Sequence, residues 1–168
     1  RKLYELNFPG TPIFGDITKI KPELIPPHDI LCGGFPCQPF SQAGKQQGFK
    51  DEKNRGNLFD YICAIAQHHH PKYIFLENVA NLMEHDDGKT FLVIYNTLAQ
   101  FGYAVKYKVL DSQEYGNIPQ QRKRIFIVAF LDYDQCAIFN YPEPIERTVQ
   151  LNDILDRTVK HDDIYYYN

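Results

Sequence analysis

Short apolar runs alternate along this chain with segments of helical spacing, and that alternation restricts the fold more than any other feature. "HDILCGG" (28–34) reads as a short buried strand. "NLFDYICAIAQHHH" (57–70) carries apolar residues at 58, 59, 62, 65 and 66, the spacing of one helix face, and Pro71 ends it. "KYIFLENV" (72–79) reads as a second buried strand. "KTFLVIYNTLAQFG" (89–102) reads as a helix closed by Gly102. "YAVKYKVLD" (103–111) alternates as a strand does, and "RIFIVAF" (124–130) is one more apolar run. Strand, helix, strand, helix, strand predicts an α/β fold with a mostly parallel sheet flanked by helices. Ligands of such sheets sit outside the carboxyl ends of the strands.

The chain is long enough, at 168 residues, for one domain with a real core. No apolar run approaches the roughly 18 residues that cross a bilayer. The start, "RKLYELNFPG", lacks a signal peptide's apolar core, so a cytoplasmic protein is expected. Cysteines stand at 32, 37, 63 and 136, none in a CxxC pair, which points to free thiols. Cys32, Cys63 and Cys136 keep apolar company and read as small core residues. The net charge of −3 gives no general attraction to nucleic acid. Basic residues are nonetheless gathered in two places. Lys45, Lys50, Lys53 and Arg55 lie in a polar stretch without periodicity (41–56), which reads as a long loop, and Arg122, Lys123 and Arg124 form the second group.

Four short motifs carry candidate chemistry, and two of them, those of Cys37 and Glu77, fall at the carboxyl ends of strands where a site is expected. In "GGFPCQPFS" (33–41), Pro36 fixes its own φ and biases Phe35 toward extended backbone, and Pro39 does the same to Gln38. Cys37 is thereby displayed on a stiff turn after a strand, as a nucleophile or as a structural loop thiol. In "FLENV" (75–79), Glu77 ends an apolar strand. Partial desolvation there suits a carboxyl to hold or donate a proton, although a plain rim carboxylate would look the same. In "QQRKR" (120–124), Arg122 and Arg124 alternate and so point to one side, able to hold a carboxylate or a base carbonyl or to form a solvated basic edge. In "FGDIT" (14–18), Asp16 could accept from an adenine amino group or a ribose hydroxyl, or cap a helix with Thr18.

The order and spacing of these motifs resemble the cytosine-C5 DNA methyltransferase family, over about Leu6 to Asp156. "GGFPCQPFS" resembles its nucleophile motif, "FLENV" its glutamate motif and "QQRKR" its Gln-x-Arg-x-Arg motif. "GDIT" is similar to its cofactor-adenine motif and "RGNLF" (55–59) to a further cofactor-side motif. The resemblance implies a Rossmann-like S-adenosylmethionine-dependent methyltransferase fold, here incomplete, and methyl transfer to carbon 5 of cytosine in double-stranded DNA. It implies catalytic roles for Cys37, Glu77, Arg122 and Arg124. Asp16, Ile17, Pro36 and Leu58 would lie on the cofactor side. Gln38, Ser41, Lys45, Arg55 and Asn78 would meet the substrate. S-adenosyl-L-methionine is the implied cofactor, and a bacterial modification enzyme with a restriction endonuclease counterpart is the implied setting.

The sequence starts past the place where the family's Phe-x-Gly-x-Gly-Gly loop would stand, and it carries neither a target-recognition domain nor a Gly-Asn-Ser-Val motif. The expected organisation is therefore a partial catalytic domain (1–140) and a lead-in (141–168) toward a recognition domain, with the chain inactive by itself. An RNA cytosine-C5 methyltransferase and a non-catalytic remnant that binds nucleic acid or a partner are the alternatives. A cysteine hydrolase would need a histidine base, for which His28 is the near candidate. "HHH" (68–70) suits a helix C-terminus better than a metal, and "EHDDG" (84–88) reads as a turn between helices.

Overall fold

The structure is a computed structural model that describes residues 1–36 and 58–155. The expected loop (41–56) lies outside the described residues. Four strands form one sheet: β1 (Ile30–Gly34), β2 (Tyr73–Val79), β3 (Ala104–Asp111) and β4 (Lys123–Phe130), in the order β1-β2-β4-β3. β1 and β2 are parallel. β4 runs antiparallel to both β2 and β3, so β1, β2 and β3 share one direction and β4 is inserted between β2 and β3 against it. Three strands thus point the same way, as the alternation predicts, while the insertion of β4 makes the sheet mixed.

Among the described residues, six helices accompany the sheet: α1 (Lys2–Asn7), α2 (Leu58–His69), α3 (Lys89–Gln100), α4 (Ser112–Tyr115), α5 (Tyr133–Ile138) and α6 (Leu151–Ile154). In α2, Phe59, Ile62, Cys63 and Ala66 are buried, which is one face at helical spacing. Thr90, Phe91, Ile94, Thr97 and Leu98 do the same in α3. Both helices pack on the face of the sheet that carries Ile74, Leu76, Ile125, Ile127 and Ala129, forming the main core. Gly102 follows α3 with φ 88°, the left-handed C-terminal stop expected of it. Residues 84–88 turn between a 3-10 turn (Ala80–Met83) and α3, with Asp86, Asp87 and Gly88 all at positive φ.

The opposite face is covered differently. There Val128, Phe130 and Cys136 form a smaller cluster with Tyr73, Ala104, Phe139 and Tyr141, so α5 and the chain after it close the lower end of that face. Asp132 caps α5 through Asp134 N and Gln135 N, a helix the sequence reading did not mark. Cys63 and Cys136 are buried as expected, but Cys32 is exposed. The correction follows from geometry: β1 is an edge strand, and its alternation sends Leu31 and Gly33 toward α2 and Cys32 to the other face. Among the described residues, no helix is long and apolar enough to cross a membrane.

Candidate active site

Register places the key side chains. Gly34 lies beside Glu77 across the parallel ladder, and Glu77 lies beside Phe126 across the antiparallel one. Side chains alternate along each strand, so Cys32, Gly34, Phe75, Glu77, Val79, Arg124 and Phe126 share the face opposite α2 and α3. Arg124 is opposite Val79, two residues from the partner of Glu77. That diagonal is within reach of a long side chain. Arg124 Nε donates to Glu77 Oε1 at 2.9 Å, with side-chain exposures of 23% and 37%. An ion pair this open adds at most about 1 kcal/mol of stability, so its content is positional: it fixes the carboxylate. Arg124 Nη1 donates to the Lys123 carbonyl at 2.9 Å, which holds the other side of the guanidinium.

Glu77 Oε2 turns toward β1. A Cβ built on Gly34 would stand 3.4 Å from it. A Cβ on Gly33 would meet Ile62 Cδ1 at 3.0 Å, closer than nearly all real contacts, so the glycine there lets α2 press against β1. The chain leaves β1 as Phe35, buried 5.3 Å from the Phe59 ring, and then the exposed Pro36. This fixes the root of the stiff turn at the level of Glu77. Cys37, Gln38, Ser41, Lys45 and Arg55 lie outside the described residues.

Asn78 departs from its expected place among substrate contacts. It is 3% exposed on the covered face. Its Nδ2 donates to the Phe35 carbonyl at 2.8 Å, and its Oδ1 accepts from Val79 N at 2.8 Å. Burial between two main-chain groups makes it a brace between β2 and the exit of β1. Arg122 also differs from its neighbour: it precedes β4, is exposed, and its N–H donates to Asp111 Oδ1 at 2.9 Å.

Asp111 is 4% exposed at the end of β3 and also accepts from Gln113 N at 3.1 Å. The sequence reading passed over it. Its one local signal is an acid followed by a polar "SQE" after an alternating strand, which is a cap pattern.

On the cofactor side, Asp16 accepts from Thr18 N at 3.0 Å and Thr18 Oγ1 at 2.8 Å, capping a 3-10 turn (Ile17–Lys19). The two Thr18 bonds hold its carboxyl below the usual range, so it stays an anionic acceptor. That turn packs against α2, whose first residue is the half-buried Leu58. The Asp16 carboxylate is an exposed acceptor, chemistry that fits a hydroxyl or amino group of the adenosine end of S-adenosylmethionine.

A family profile described as C-5 cytosine-specific DNA methylase matches residues 1–168. The chain belongs to that family. Among curated members, it is 45% identical over 164 residues to the type II methyltransferase M.Bsp6I of a Bacillus species, covering 98% of this chain and 52% of that protein. It is 44% identical over 163 residues to the type II methyltransferase M.HhaI of Haemophilus parahaemolyticus, covering 96% of this chain and 49% of that protein. The chain therefore spans about half the length of these relatives. Among solved structures, it resembles Entamoeba histolytica methyltransferase EhMeth with a TM-score of 0.57 at 22% identity, over 95% of this chain and 49% of that one. It resembles a Spodoptera frugiperda DNMT2 with a TM-score of 0.55 at 24% identity, over 77% and 38%. These two share the Rossmann-like fold expected of a methyltransferase.

Proposed function

We propose that the protein carrying this chain transfers a methyl group from S-adenosyl-L-methionine to carbon 5 of cytosine in double-stranded DNA, as a bacterial modification methylase with a restriction endonuclease counterpart. The observation that carries the reading is the Glu77–Arg124 pair, held at 2.9 Å at the carboxyl end of β2, beside the exit of β1 toward Cys37. The type II methyltransferases at 44–45% identity support DNA as the substrate.

The chemistry assigns each group a task. Carbon 5 of cytosine is a poor nucleophile. Addition of the Cys37 thiolate to carbon 6 gives carbon 5 enamine character, so that it attacks the activated methyl group. S-adenosyl-L-methionine supplies that methyl group when bound. Glu77 holds or protonates ring nitrogen N3 as charge moves onto the base, and Arg124, with Arg122 beside it, holds the carbonyl and the glutamate. Transfer of the carbon 5 proton to a solvent water then re-forms the carbon 5–carbon 6 double bond, and the carbon 6–sulfur bond breaks to return the Cys37 thiolate. The base must leave the duplex for any of this, and Gln38, Ser41, Lys45 and Arg55 close on the DNA around it. Asp16, Ile17 and Leu58 line the adenosine side of the cofactor, and Pro36 also lies on the cofactor side. The chain by itself is inactive on this reading, with residues 141–168 leading toward a target-recognition domain.

The test is trapping. The complete reading frame that encodes this chain is incubated with S-adenosylmethionine and duplex DNA in which 5-fluorocytosine replaces cytosine. Fluorine stands where the proton must leave, so a covalent protein–DNA adduct accumulates on Cys37 and is located by mass spectrometry. A Cys37→Ser protein that still forms the adduct at wild-type yield overturns the nucleophile. An adduct with 5-fluorocytosine tRNA and none with DNA overturns the substrate.

A further inference from the structure

Both main-chain groups of Arg122 are captured by the end of β3. Its N–H donates to Asp111 Oδ1 at 2.9 Å. Its carbonyl accepts from Ser112 N at 3.2 Å and from Ser112 Oγ at 3.4 Å. Asp111 is opposite Lys123 in the β3–β4 ladder, so this clasp sits two residues before Arg124, which meets Glu77. A strand end with no clasp frays, because its outer hydrogen bonds exchange readily with water. Here the end of β4 is fixed by a carboxylate that is 4% exposed.

Fixing that end has a consequence for the site. Arg124 reaches Glu77 only across a diagonal, which demands the register in which Leu110 faces Arg124 and Val79 faces it from the other side. A slip or local opening at 122–123 moves the guanidinium away from Glu77 Oε1. We propose that Asp111 is a positioning residue for methyl transfer: its buried carboxylate clamps the Arg122 amide and so holds Arg124 against Glu77. Asp111 lies on the covered face and touches neither base nor cofactor. It acts through β4.

The inference rests on the role given to Glu77 and Arg124 above, and the experiment separates the two. The complete reading frame is prepared as wild type, Arg124→Ala, Asp111→Asn, Asp111→Ala, Asp111→Ser and the Arg124→Ala/Asp111→Ala double variant. Asparagine keeps an oxygen acceptor in place. Serine keeps an N-cap for α4 but its hydroxyl is one bond too short to hold the Arg122 amide. Expected results are a fall of about tenfold or more in kcat for D111A and D111S with little change in KM for DNA, and recovery to within about threefold in D111N. The double variant is expected to be little worse than R124A, since the two act on one interaction.

A readout independent of activity accompanies this. The Arg124 Nε–H proton, bonded to Glu77, gives a slowly exchanging NMR signal in the wild type and D111N, and loses it in D111A and D111S. If D111A does not fold, D111S carries the comparison. Wild-type kcat in D111A or D111S, a retained Nε–H signal, or effects of D111A and R124A that simply multiply each overturn the positioning role. An R124A protein that methylates as well as wild type overturns instead the role of Arg124, while the NMR signal still decides whether Asp111 sets its position.

Discussion

Replacing Asn78 isolates the brace between β2 and the root of the Cys37 turn. In Asn78→Ala, the Phe35 carbonyl loses a 2.8 Å donor and Val79 N loses a 2.8 Å acceptor, at a position that is 3% exposed. A buried polar group left unpaired costs about 1–3 kcal/mol. Val79 N lies nearer the surface and recovers part of its loss from water, so a total of about 2–3 kcal/mol is expected. For a chain of this size, each kcal/mol moves Tm by about 2–4 °C, giving a fall of about 4–12 °C. The assay is urea denaturation followed by circular dichroism, paired with a thermal scan. Asn78→Asp adds a check on sign. At neutral pH its carboxylate faces the Phe35 carbonyl with no donor, so N78D is expected to be less stable than N78A. Its folded pKa is then raised above the ordinary value of about 3.9. The lost stability returns as pH falls and the protonated acid donates to Phe35, and is lost again as pH rises through the folded pKa. A loss below about 0.5 kcal/mol in N78A, or an N78D deficit that does not shrink between pH 7 and pH 4, would refute the brace.

Other outcomes follow from the same contacts. Glu77→Gln keeps the shape of the side chain but gives up its charge, and is expected to lower the methylation rate of the complete protein at least tenfold, about 1.4 kcal/mol of barrier, at saturating DNA; an unchanged rate removes Glu77 from the mechanism. Burial pushes the hydroxyls of Tyr103 and Tyr141 up to about 12. Ordinary tyrosines titrate near 10, so the stability these two contribute is full below about pH 10 and falls as pH rises toward 12; Tyr103→Phe, which also removes the 2.7 Å bond to the Pro71 carbonyl, is expected to flatten that alkaline loss, and spectrophotometric titration against denaturation reads it. Calorimetric titration of the 168-residue chain with S-adenosylmethionine is expected to show no micromolar binding, since Asp16, Ile17 and Leu58 supply only the adenosine side; micromolar affinity would mean that other residues complete the site.

Local chemistry told much of this in advance. The spacing of Phe59, Ile62 and Ala66 marks α2, Pro71 marks its end, and "YIFLENV" marks β2 by its short apolar, aromatic and β-branched run after a proline. The direction of β4 was not legible. "RIFIVAF" carries the same kind of run whether it lies parallel or antiparallel, and its partners lie 45 or more positions away in β2 and 12 or more in β3. Cys32 misled because an edge strand is apolar in sequence yet covered on only one side. The burial of Asn78 was not legible because the carbonyl it meets is 43 residues away, and a motif shows which residues come together without showing which face each one takes.

Alternation explains why the braces sit where they do. Glu77 and Asn78 are neighbours in β2, so one must face the open side of the sheet and the other the covered side. Arg124 and Lys123 are neighbours in β4, and Asp111 stands opposite Lys123 on that same covered side. Each member of the Glu77–Arg124 pair on the open face therefore has a buried polar group one register step away, Asn78 for Glu77 and Asp111 for Arg124. A buried polar side chain costs stability unless its bonds are made, and both of these make theirs to main-chain atoms. Main-chain targets do not rotate away as side chains do, so the bonds fix strand ends rather than one rotamer. The open face can then stay open to a base and still hold the Glu77 carboxylate within 2.9 Å of the Arg124 guanidinium.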